Sequence, residues 1–308
     1  MELPGTKAGA RCLGEAQMAL ESELGLVGFG EAGQAFARGW ALPAGEMAAY
    51  DLKLVEGPER AQMISACAEL GVVPVTTPAA LLERATTVFS LVPTDQAVAV
   101  ARAAAPHLRT GTFWLDGSSS APGTKRAAAA SIEAAGGHYV DMAIMAPVHP
   151  RRHRTPVLLA GPEATQALAA ITALGMDGQV AGPAVGDASA VKMIRSVLVK
   201  GLEALTAECL LAARRAGVEE AVLASFAQSD PEIDWAARTA YNLGRMLEHG
   251  TRRAAEMREV VATLTELRLP SRLSAATALW QDEMGALDLE VGPGPLPGLL
   301  DAVLAARR

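Results

Sequence analysis

Six residues near the N-terminus have types and a spacing suited to binding phosphate: Gly28, Phe29, Gly30, Glu31, Ala32 and Gly33. They form G-x-G-x-x-G, with an apolar run at 24–27 before them and a helix-like apolar pattern at 35–40 after them. In that context the first glycine permits a tight turn, the second lets a pyrophosphate approach the backbone, and the third lets helix and strand pack closely. The phosphates would lie at the positive end of the helix. The segment therefore predicts a dinucleotide site.

An acidic residue follows the next apolar segment. Asp51 comes directly after residues 47–50, eighteen positions beyond Gly33, where a carboxylate can accept hydrogen bonds from both ribose hydroxyls of an adenosine. Because the same carboxylate would repel a 2′-phosphate, Asp51 favours NAD as the cofactor, while the nearby Lys53 leaves NADP open. A turn residue without a ligand is the alternative interpretation of Asp51.

Two later strand ends are expected to face the same crevice, because the carboxyl ends of parallel strands line it. Leu91, Val92 and Pro93 stand at the end of one predicted strand and are expected near the cofactor. Ser118 and Ser119 follow the next predicted strand, where their hydroxyls and backbone N–H groups can orient an anion. Capping of the following helix is the alternative interpretation for one of the serines.

A lysine is the candidate acid–base group. Residues 186–208 have a helical period, and Lys192 shares one face with small hydroxyl residues. A solvated lysine on an ordinary amphipathic helix is the alternative interpretation of this segment. Another face of the same helix is an apolar stripe, made of Val191, Ile194, Leu198, Leu202 and Leu205.

These groups need a scaffold that brings the strand ends together. Strands alternate with helices over residues 22–184, which predicts an α/β domain with a doubly wound parallel sheet of the Rossmann kind. Residues 185–308 show helical patterns and predict an all-helical C-terminal domain, with one helix expected to begin at Thr251. Residues 1–21 mix glycine, proline and charges without a period and are expected to be a poorly ordered extension.

Composition restricts the classes of partner. The formal net charge of −7 argues against nucleic acid, because phosphate contacts need a basic face. No uncharged apolar run reaches about 18 residues, so no membrane span is expected. Three cysteines without a CxxC pair indicate free thiols in a reducing cytoplasm. The histidines have no metal-binding spacing, so no metal site is expected.

In their order along the chain, these motifs resemble the β-hydroxyacid dehydrogenases, a family that includes 3-hydroxyisobutyrate and 6-phosphogluconate dehydrogenases. The resemblance spans residues 23–270 and includes Gly186, six positions before Lys192. It implies that Lys192 is the general acid/base of an NAD(P)-dependent oxidoreductase acting on the CH–OH group of a small β-hydroxy acid or a related anion. It also implies a homodimer, with a helical second domain that serves substrate binding and dimerisation.

Several positions at which the family contacts substrate differ in this chain. Ser196 stands where the family commonly has asparagine, Met145 lies in a segment that is usually Ala-Pro-Val-Ser-Gly-Gly, and Glu256 falls at a usual Lys–Asp pair. Residues 192–205 and 249–257 are similar to a subgroup of phosphogluconate-dehydrogenase-like oxidoreductases with a divergent C-terminal domain. We expect substrate contacts from Ser118, Ser119, Met145, Arg195, Ser196 and Arg253.

A lysine in the acid–base role must exchange protons near neutral pH, which partial burial and the neighbouring Arg195 would favour by lowering its pKa.

Other functions fit the same motifs. Imine reduction occurs in relatives of the family, although those relatives generally replace the lysine. A catalytically silent dinucleotide-binding protein that senses redox state or holds a partner is a third hypothesis. Residues 151–154, which include three arginines, are either a rim for an anionic substrate or a solvated loop.

Overall fold

The computed structural model describes residues 23–289 and 295–307. The extension predicted at 1–21, and residues 292–294 of a predicted Gly/Pro turn, lie outside these described residues. The chain forms two compact units, Met1–Lys192 and Met193–Arg308. This division falls inside one helix, and the domain boundary predicted between residues 184 and 185 stays a prediction.

The described part of the first unit contains a sheet of eight strands with helices between them. The strands are β1 (Glu23–Val27), β2 (Met47–Tyr50), β3 (Val72–Val75), β4 (Ala85–Ser90), β5 (Phe113–Asp116), β6 (His138–Ile144), β7 (Val157–Ala160) and β8 (Gly178–Gly182). The helices are α1 (Glu31–Trp40), α2 (Leu52–Val55), α3 (Arg60–Glu69), α4 (Pro78–Leu82), α5 (Ala97–Ala104), α6 (Pro122–Ala134) and α7 (Ala164–Ala173). The strand order is β3-β2-β1-β4-β5-β6-β7-β8, so β3 and β8 are the edges.

Apolar residues cover both faces of this sheet. Phe89 belongs to one buried cluster, with Phe36 of α1, and Val88 belongs to another, with Ile132 of α6. Neighbouring residues enter different clusters because successive side chains of a strand point to opposite faces. Two buried faces are what a sheet with helices on both sides requires. The predicted doubly wound α/β fold is therefore confirmed.

One pair of strands departs from the predicted parallel arrangement. β7 runs antiparallel to β6, with Asp141 opposite Ala160 and Ile144 opposite Val157. A parallel return usually needs a helical crossover, but the connection at residues 145–156 contains only a short 3₁₀ turn. The chain therefore turns back beside β6, and β8 then pairs parallel with β7.

Helices make up the described part of the second unit: α8 (Asp187–Ala216), which begins in the first unit, α9 (Glu219–Ser229), α10 (Trp235–Glu266), α11 (Arg272–Gly285) and α12 (Leu296–Ala306). Helix α10 continues through Gly250, so the prediction that a helix begins at Thr251 is wrong. A Cβ atom on Gly250 would lie 2.6 Å from the backbone nitrogen of Gly285. The glycine is required because α10 and α11 touch backbone to backbone at this point.

On α8, most of the predicted apolar stripe is exposed, and part of the predicted polar face is buried. Four members of its apolar stripe are 45% to 67% exposed: Val191, Ile194, Leu198 and Leu205. On the polar face, Ser189 and Lys200 are buried. Burying an ammonium group is tolerated when it is paired, and Glu256 lies 2.6 Å from Lys200. An exposed apolar stripe of this kind usually marks a contact surface.

Candidate active site

The glycine fingerprint is tightly packed at its two ends. Gly28 has φ +87°, and a Cβ there would lie 2.8 Å from the carbonyl oxygen of Leu91. A Cβ on Gly33 would lie 2.5 Å from the carbonyl oxygen of Gly28. Both positions therefore exclude any side chain, for reasons of backbone conformation at Gly28 and of close helix approach at Gly33.

Gly30 differs from the two flanking glycines because no atom of the described residues lies within 4 Å of the position its Cβ would take. Gly30 and Glu31 are exposed, and Ala32 is partly exposed. Within the described residues no side chain caps the first turn of α1, whose N–H groups and positive dipole end favour an anion. Open space beside an uncapped helix start fits the pyrophosphate of a dinucleotide.

Replacing Gly30 with valine is expected to weaken NADH binding about a hundredfold, or ~3 kcal/mol, because the side chain would occupy the approach of a charged, hydrogen-bonded phosphate. The fold should be retained, since the new Cβ meets open space. NADH fluorescence titration and thermal unfolding measure the two effects. Gly298→Val, at another open position, is the control and should bind NADH normally. Normal NADH binding by Gly30→Val would contradict this placement of the phosphates.

Asp51 connects the fingerprint to the end of β2. Its Oδ2 accepts a hydrogen bond from the backbone N–H of Phe29 at 2.7 Å, and its Oδ1 accepts one from that of Lys53 at 2.9 Å. The second contact caps α2, so the turn interpretation of Asp51 describes part of its role. Each carboxylate oxygen has a further lone pair, which leaves ribose recognition compatible with the cap. The side chain of Phe29 is fully buried, so this residue can offer a ligand only its backbone.

The strand end at residues 91–93 lies against the fingerprint. The N–H of Leu91 donates to the carbonyl oxygen of Val27 at 2.7 Å, and a Cβ on Gly28 would lie 3.2 Å from Cγ1 of Val92. Pro93 is exposed beyond them. These residues are therefore next to the predicted cofactor loop, and their contact with a cofactor stays a prediction.

The structure separates the roles of the two predicted serines. Ser118 is buried, and its hydroxyl is 2.8 Å from that of Ser120. Ser119 is partly exposed, and its carbonyl oxygen accepts a hydrogen bond from Thr94 Oγ1 at 2.8 Å. Ser118 is therefore enclosed by the protein, whereas Ser119 is accessible in part.

Lys192 lies on the same loop although it is far away in sequence. Its Nζ donates a hydrogen bond to Ser119 Oγ at 2.7 Å, and the lysine is half-buried. A partly exposed amine beside a hydroxyl can exchange a proton with a substrate that reaches it. The solvated-lysine alternative does not describe this contact. The structure thus brings Lys192 together with Ser119 in the loop that follows β5, and β5 pairs with β4.

Four buried residues under this loop were not among the predicted site residues: Asp116, Lys125, Tyr139 and Asp141, here called the buried network. Lys125 Nζ donates to the carbonyl oxygen of Asp116 at 2.6 Å and lies 3.2 Å from its Oδ1 and 3.5 Å from Oδ1 of Asp141. Tyr139 donates its hydroxyl proton to Asp116 Oδ2 at 2.6 Å. Two aspartates on consecutive predicted strands, with a lone lysine in the alanine-rich helix between them, were the available signal.

The protonation states within the buried network follow from its contacts. Burial alone would raise the pKa of Asp116, but the Lys125 charge and hydrogen bonds from Tyr139 and Ser118 outweigh it, so this pKa lies below its ordinary value. Burial, with Asp116 adding to the effect, raises the pKa of Tyr139 well above its ordinary value. Asp116 is therefore ionised, and Tyr139 stays protonated as its donor.

Other predicted substrate residues lie elsewhere on the two units. Met145 is partly buried and packs against Ala143, Ala160 and Ala188 in the first unit. Arg195 is exposed on α8, and Ser196, at the next position, is buried. Their contact with a substrate stays a prediction.

Arg253 is engaged within the second unit. It is 7% exposed and donates to both carboxylate oxygens of Glu203, which also accepts a hydrogen bond from Gln281 at 2.9 Å. Because Glu203 already neutralises its charge, Arg253 is better described as a member of a buried ion pair than as the predicted anion anchor. Nearby, burial lowers the pKa of Lys200, and pairing with Glu256 opposes that change.

The arginine-rich segment, residues 151–154, lies against the C-terminal end of α1. A Cβ on Gly39 would collide with the imidazole of His153, and Gly39 is nine residues, or about 13 Å along a helix, beyond Gly30. Arg151, Arg152 and Arg154 are exposed, and cations are favoured near helix carbonyl ends. This position favours the solvated-loop interpretation. Burial, with the charges of Arg154 and Arg152, lowers the pKa of His153.

Two further searches concern the described ranges alone. Across residues 23–289 and 295–307, no helix is both long enough and apolar enough to cross a membrane. In the same ranges, no three side chains of His, Cys, Asp or Glu come together as a metal site would require.

Two known sequence families match separate parts of the chain. Residues 23–175 match the family described as the NAD binding domain of 6-phosphogluconate dehydrogenase. Residues 213–284 match a family described as a domain of unknown function, DUF1932. A comparison with curated proteins finds no match.

Solved structures share the fold over nearly the full length. A conserved hypothetical protein from Sinorhizobium meliloti 1021 is 36% identical, with a TM-score of 0.72, over 92% of this chain and 96% of that one. A conserved protein described as structurally similar to 3-hydroxyacid dehydrogenases is 28% identical, with a TM-score of 0.67, over 92% and 99%. A 3-hydroxyisobutyrate dehydrogenase from Mycobacterium tuberculosis, solved with L-serine, is 14% identical, with a TM-score of 0.69, over 92% and 99%, which is a likeness of fold.

Proposed function

We infer the function of this chain from its family: it belongs to the β-hydroxyacid dehydrogenase-like proteins with a helical C-terminal domain. We propose that it is an oxidoreductase that uses a nicotinamide dinucleotide. Its reaction is hydride transfer from the carbinol carbon of a small β-hydroxy acid or a related anion, or to the carbonyl carbon of the oxidised form. The observation that carries this proposal is the contact between Lys192 and Ser119 at 2.7 Å. It joins an amine and a strand-end hydroxyl within the unit that contains the glycine fingerprint.

The residues assigned to the cofactor surround the start of α1. The backbone at Gly28 to Gly33 would hold the pyrophosphate, Asp51 the adenosine ribose, and residues 91–93 the side nearer the nicotinamide. Asp51 favours NAD, since a carboxylate repels a 2′-phosphate. When bound, the nicotinamide supplies the hydride acceptor or donor of the reaction.

Lys192 is assigned the acid–base step. In the oxidative direction its neutral amine accepts the substrate's hydroxyl proton as the carbinol carbon loses its hydride and the C–O bond becomes a carbonyl; in the reductive direction its ammonium returns that proton. A hydroxyl can both accept and donate a hydrogen bond. Ser119 can therefore stay in contact with Lys192 in both protonation states and hold Nζ in one place.

The substrate's anionic group is assigned to the loop that bears Ser119. The hydroxyl of Ser118 faces Ser120, so this residue would act through the loop it helps to hold. Met145, Arg195 and Ser196 are further substrate contacts in this proposal, Ser196 lying one helical turn after Lys192 on α8. The contact between Lys192 and Ser119 supports the proposed class of reaction, and the substrate contacts are proposals.

An activity panel tests the proposed reaction. Purified protein is mixed with NAD or NADP and β-hydroxy acids, and with NADH or NADPH and keto acids or cyclic imines, while absorbance at the nicotinamide band is followed. Turnover of a hydroxy acid and its keto acid supports the proposal. Turnover of cyclic imines alone would indicate an imine reductase instead, and tight NADH binding without any turnover would indicate a sensor.

We also propose that the protein forms a homodimer through the apolar stripe of α8. Ile194, Leu198 and Leu205 are 50%, 67% and 60% exposed. A second copy of the same surface would remove this apolar area from water, which is the main driving force of subunit association.

Replacing Leu198 with glutamate is expected to raise the dimer dissociation constant at least about a hundredfold, because an unpaired carboxylate would be buried in the interface. Light scattering during size-exclusion chromatography, over a range of protein concentrations, measures the change. Leu52→Glu is the matched control, because Leu52 is 64% exposed in the first unit. A monomeric wild type, or a Leu198→Glu protein that dimerises as the wild type does, would contradict this surface.

A further inference from the structure

The buried network takes no part in the proposed chemistry, yet it holds four polar residues in the interior. Asp116, Lys125, Tyr139 and Asp141 are each 0% or 1% exposed. Asp116 and Asp141 are direct partners in the register of β5 and β6, so the two carboxylates lie side by side. A single ammonium, that of Lys125, lies within 3.5 Å of both.

This arrangement requires the lysine. Two neighbouring buried carboxylates repel each other, and a positive charge close to both offsets that repulsion. Lys125 supplies that charge, and it also donates a hydrogen bond to the carbonyl oxygen of Asp116. The two aspartates therefore share one compensating charge, that of Lys125.

Each aspartate holds a different segment of the candidate site. Asp116 Oδ1 accepts a hydrogen bond from the backbone N–H of Ser118 at 2.8 Å and so fixes residues 117–121 after β5, here called the serine loop. Asp141 Oδ2 accepts hydrogen bonds from the backbone N–H groups of Gly186 at 3.1 Å and Ser189 at 2.9 Å, and so fixes the start of α8. These bonds are charge-assisted and therefore stronger than neutral ones.

The geometry points to Lys125 as a positioning residue for Lys192, an inference that rests on the proposed function. Lys192 follows Ser189 by three residues on α8, and Ser119 follows Ser118 directly. By joining Asp116 to Asp141, Lys125 fixes the serine loop and the start of α8 relative to each other. The distance between Lys192 Nζ and Ser119 Oγ is set by that connection. Lys125 itself contacts neither reacting group.

The test compares wild-type protein with Lys125→Met, which keeps the length of the side chain and removes its charge. Hydrogen exchange followed by mass spectrometry is expected to speed up about tenfold or more in segments 116–121 and 184–192, because local opening would become easier. With a substrate found in the activity panel, kcat should fall about a hundredfold, as expected for a misplacement of about 1 Å. The dissociation constant for NADH should change less than about twofold, since the fingerprint is not touched.

Two more variants separate positioning from general destabilisation. Arg84→Met removes a cation that pairs with Glu23 where β1 and β4 begin, whereas the serine loop lies where β5 ends. This variant should leave the exchange rates of both segments and kcat unchanged. Tyr139→Phe removes only the hydrogen bond to Asp116 Oδ2, so it should fold even if Lys125→Met does not. It should speed exchange at 116–121, leave 184–192 protected, and lower kcat with little change in NADH binding.

The outcomes decide the inference independently of the proposed reaction. Unchanged exchange in both segments of folded Lys125→Met, or unchanged exchange at 116–121 in Tyr139→Phe, would overturn it. Faster exchange with an unaltered kcat would overturn it as well. If the wild type turns over no substrate, the proposed function fails, and the acylation rate of Lys192 by acetic anhydride replaces kcat as the readout: a changed rate in Lys125→Met supports positioning and an equal rate refutes it.

Discussion

Replacing Lys192 with alanine is expected to lower kcat at least about a hundredfold and to leave NADH affinity nearly unchanged. The reason is that the substrate's hydroxyl proton would lose its acceptor, while the fingerprint and Asp51 remain in place. Ser119 Oγ is 2.7 Å from Nζ, but a serine hydroxyl is too weak a base at neutral pH to replace the amine. Steady-state kinetics and NADH fluorescence titration measure the two quantities.

Lys192→Arg is the informative control for this experiment. A guanidinium keeps the positive charge and can still donate to Ser119, but it does not deprotonate in proteins. A loss as large as that of the alanine variant would therefore identify proton transfer as the role of Lys192. Activity retained by the arginine variant would mean that only charge is needed, and full turnover by Lys192→Ala would end the assignment.

Replacing Gly250 with alanine is expected to lower the free energy of unfolding by about 3 kcal/mol or more. The added Cβ would lie 2.6 Å from the backbone nitrogen of Gly285. A backbone atom cannot rotate out of the way as a side chain can, so α10 and α11 would have to separate over part of their contact. Losses of this size are a large share of the stability of a typical domain.

Gly298→Ala is the matched control for Gly250→Ala. Gly298 lies inside α12, and no described residue has an atom within 4 Å of the position of its Cβ. Alanine is favoured over glycine in a helix, so this variant should gain about 0.5–1 kcal/mol. Denaturant unfolding monitored by circular dichroism compares the two variants. Similar stabilities of Gly250→Ala and the wild type would show that the helices do not touch as closely as described.

Much of the first unit could be predicted because its signals are local. The turn at Gly28 and the close approach at Gly33 follow from residues a few positions apart, and the strand before them from a short apolar run. The serine loop was predicted in the same way, as a strand end. The role of Lys192 was expected from a family resemblance, whereas its contact with Ser119 follows from no local pattern, since 73 residues separate them.

Contacts that join distant segments could not be predicted from periodicity. Lys125 belongs to an alanine-rich segment, which predicts a helix but does not indicate which groups its charge pairs with. Arg253 looked available for an anion because its partner, Glu203, is 50 residues away. The period of α8 was predicted, but not which face is covered, because a polar face with paired charges can be buried. Gly250 resembled a helix boundary because the helix that requires a glycine there, α11, is distant in sequence.

The two edges of the sheet differ in their capacity to accept a foreign strand. β3 contains Pro74, which has no N–H to donate and therefore interrupts any ladder that forms on the outer side. β8 has no proline, and Gln179, Val180 and Ala181 in its centre are exposed. The antiparallel turn that adds β7 and β8 thus extends the sheet to an edge without this protection. In a concentrated solution, β8 is the side on which the sheet could continue to grow.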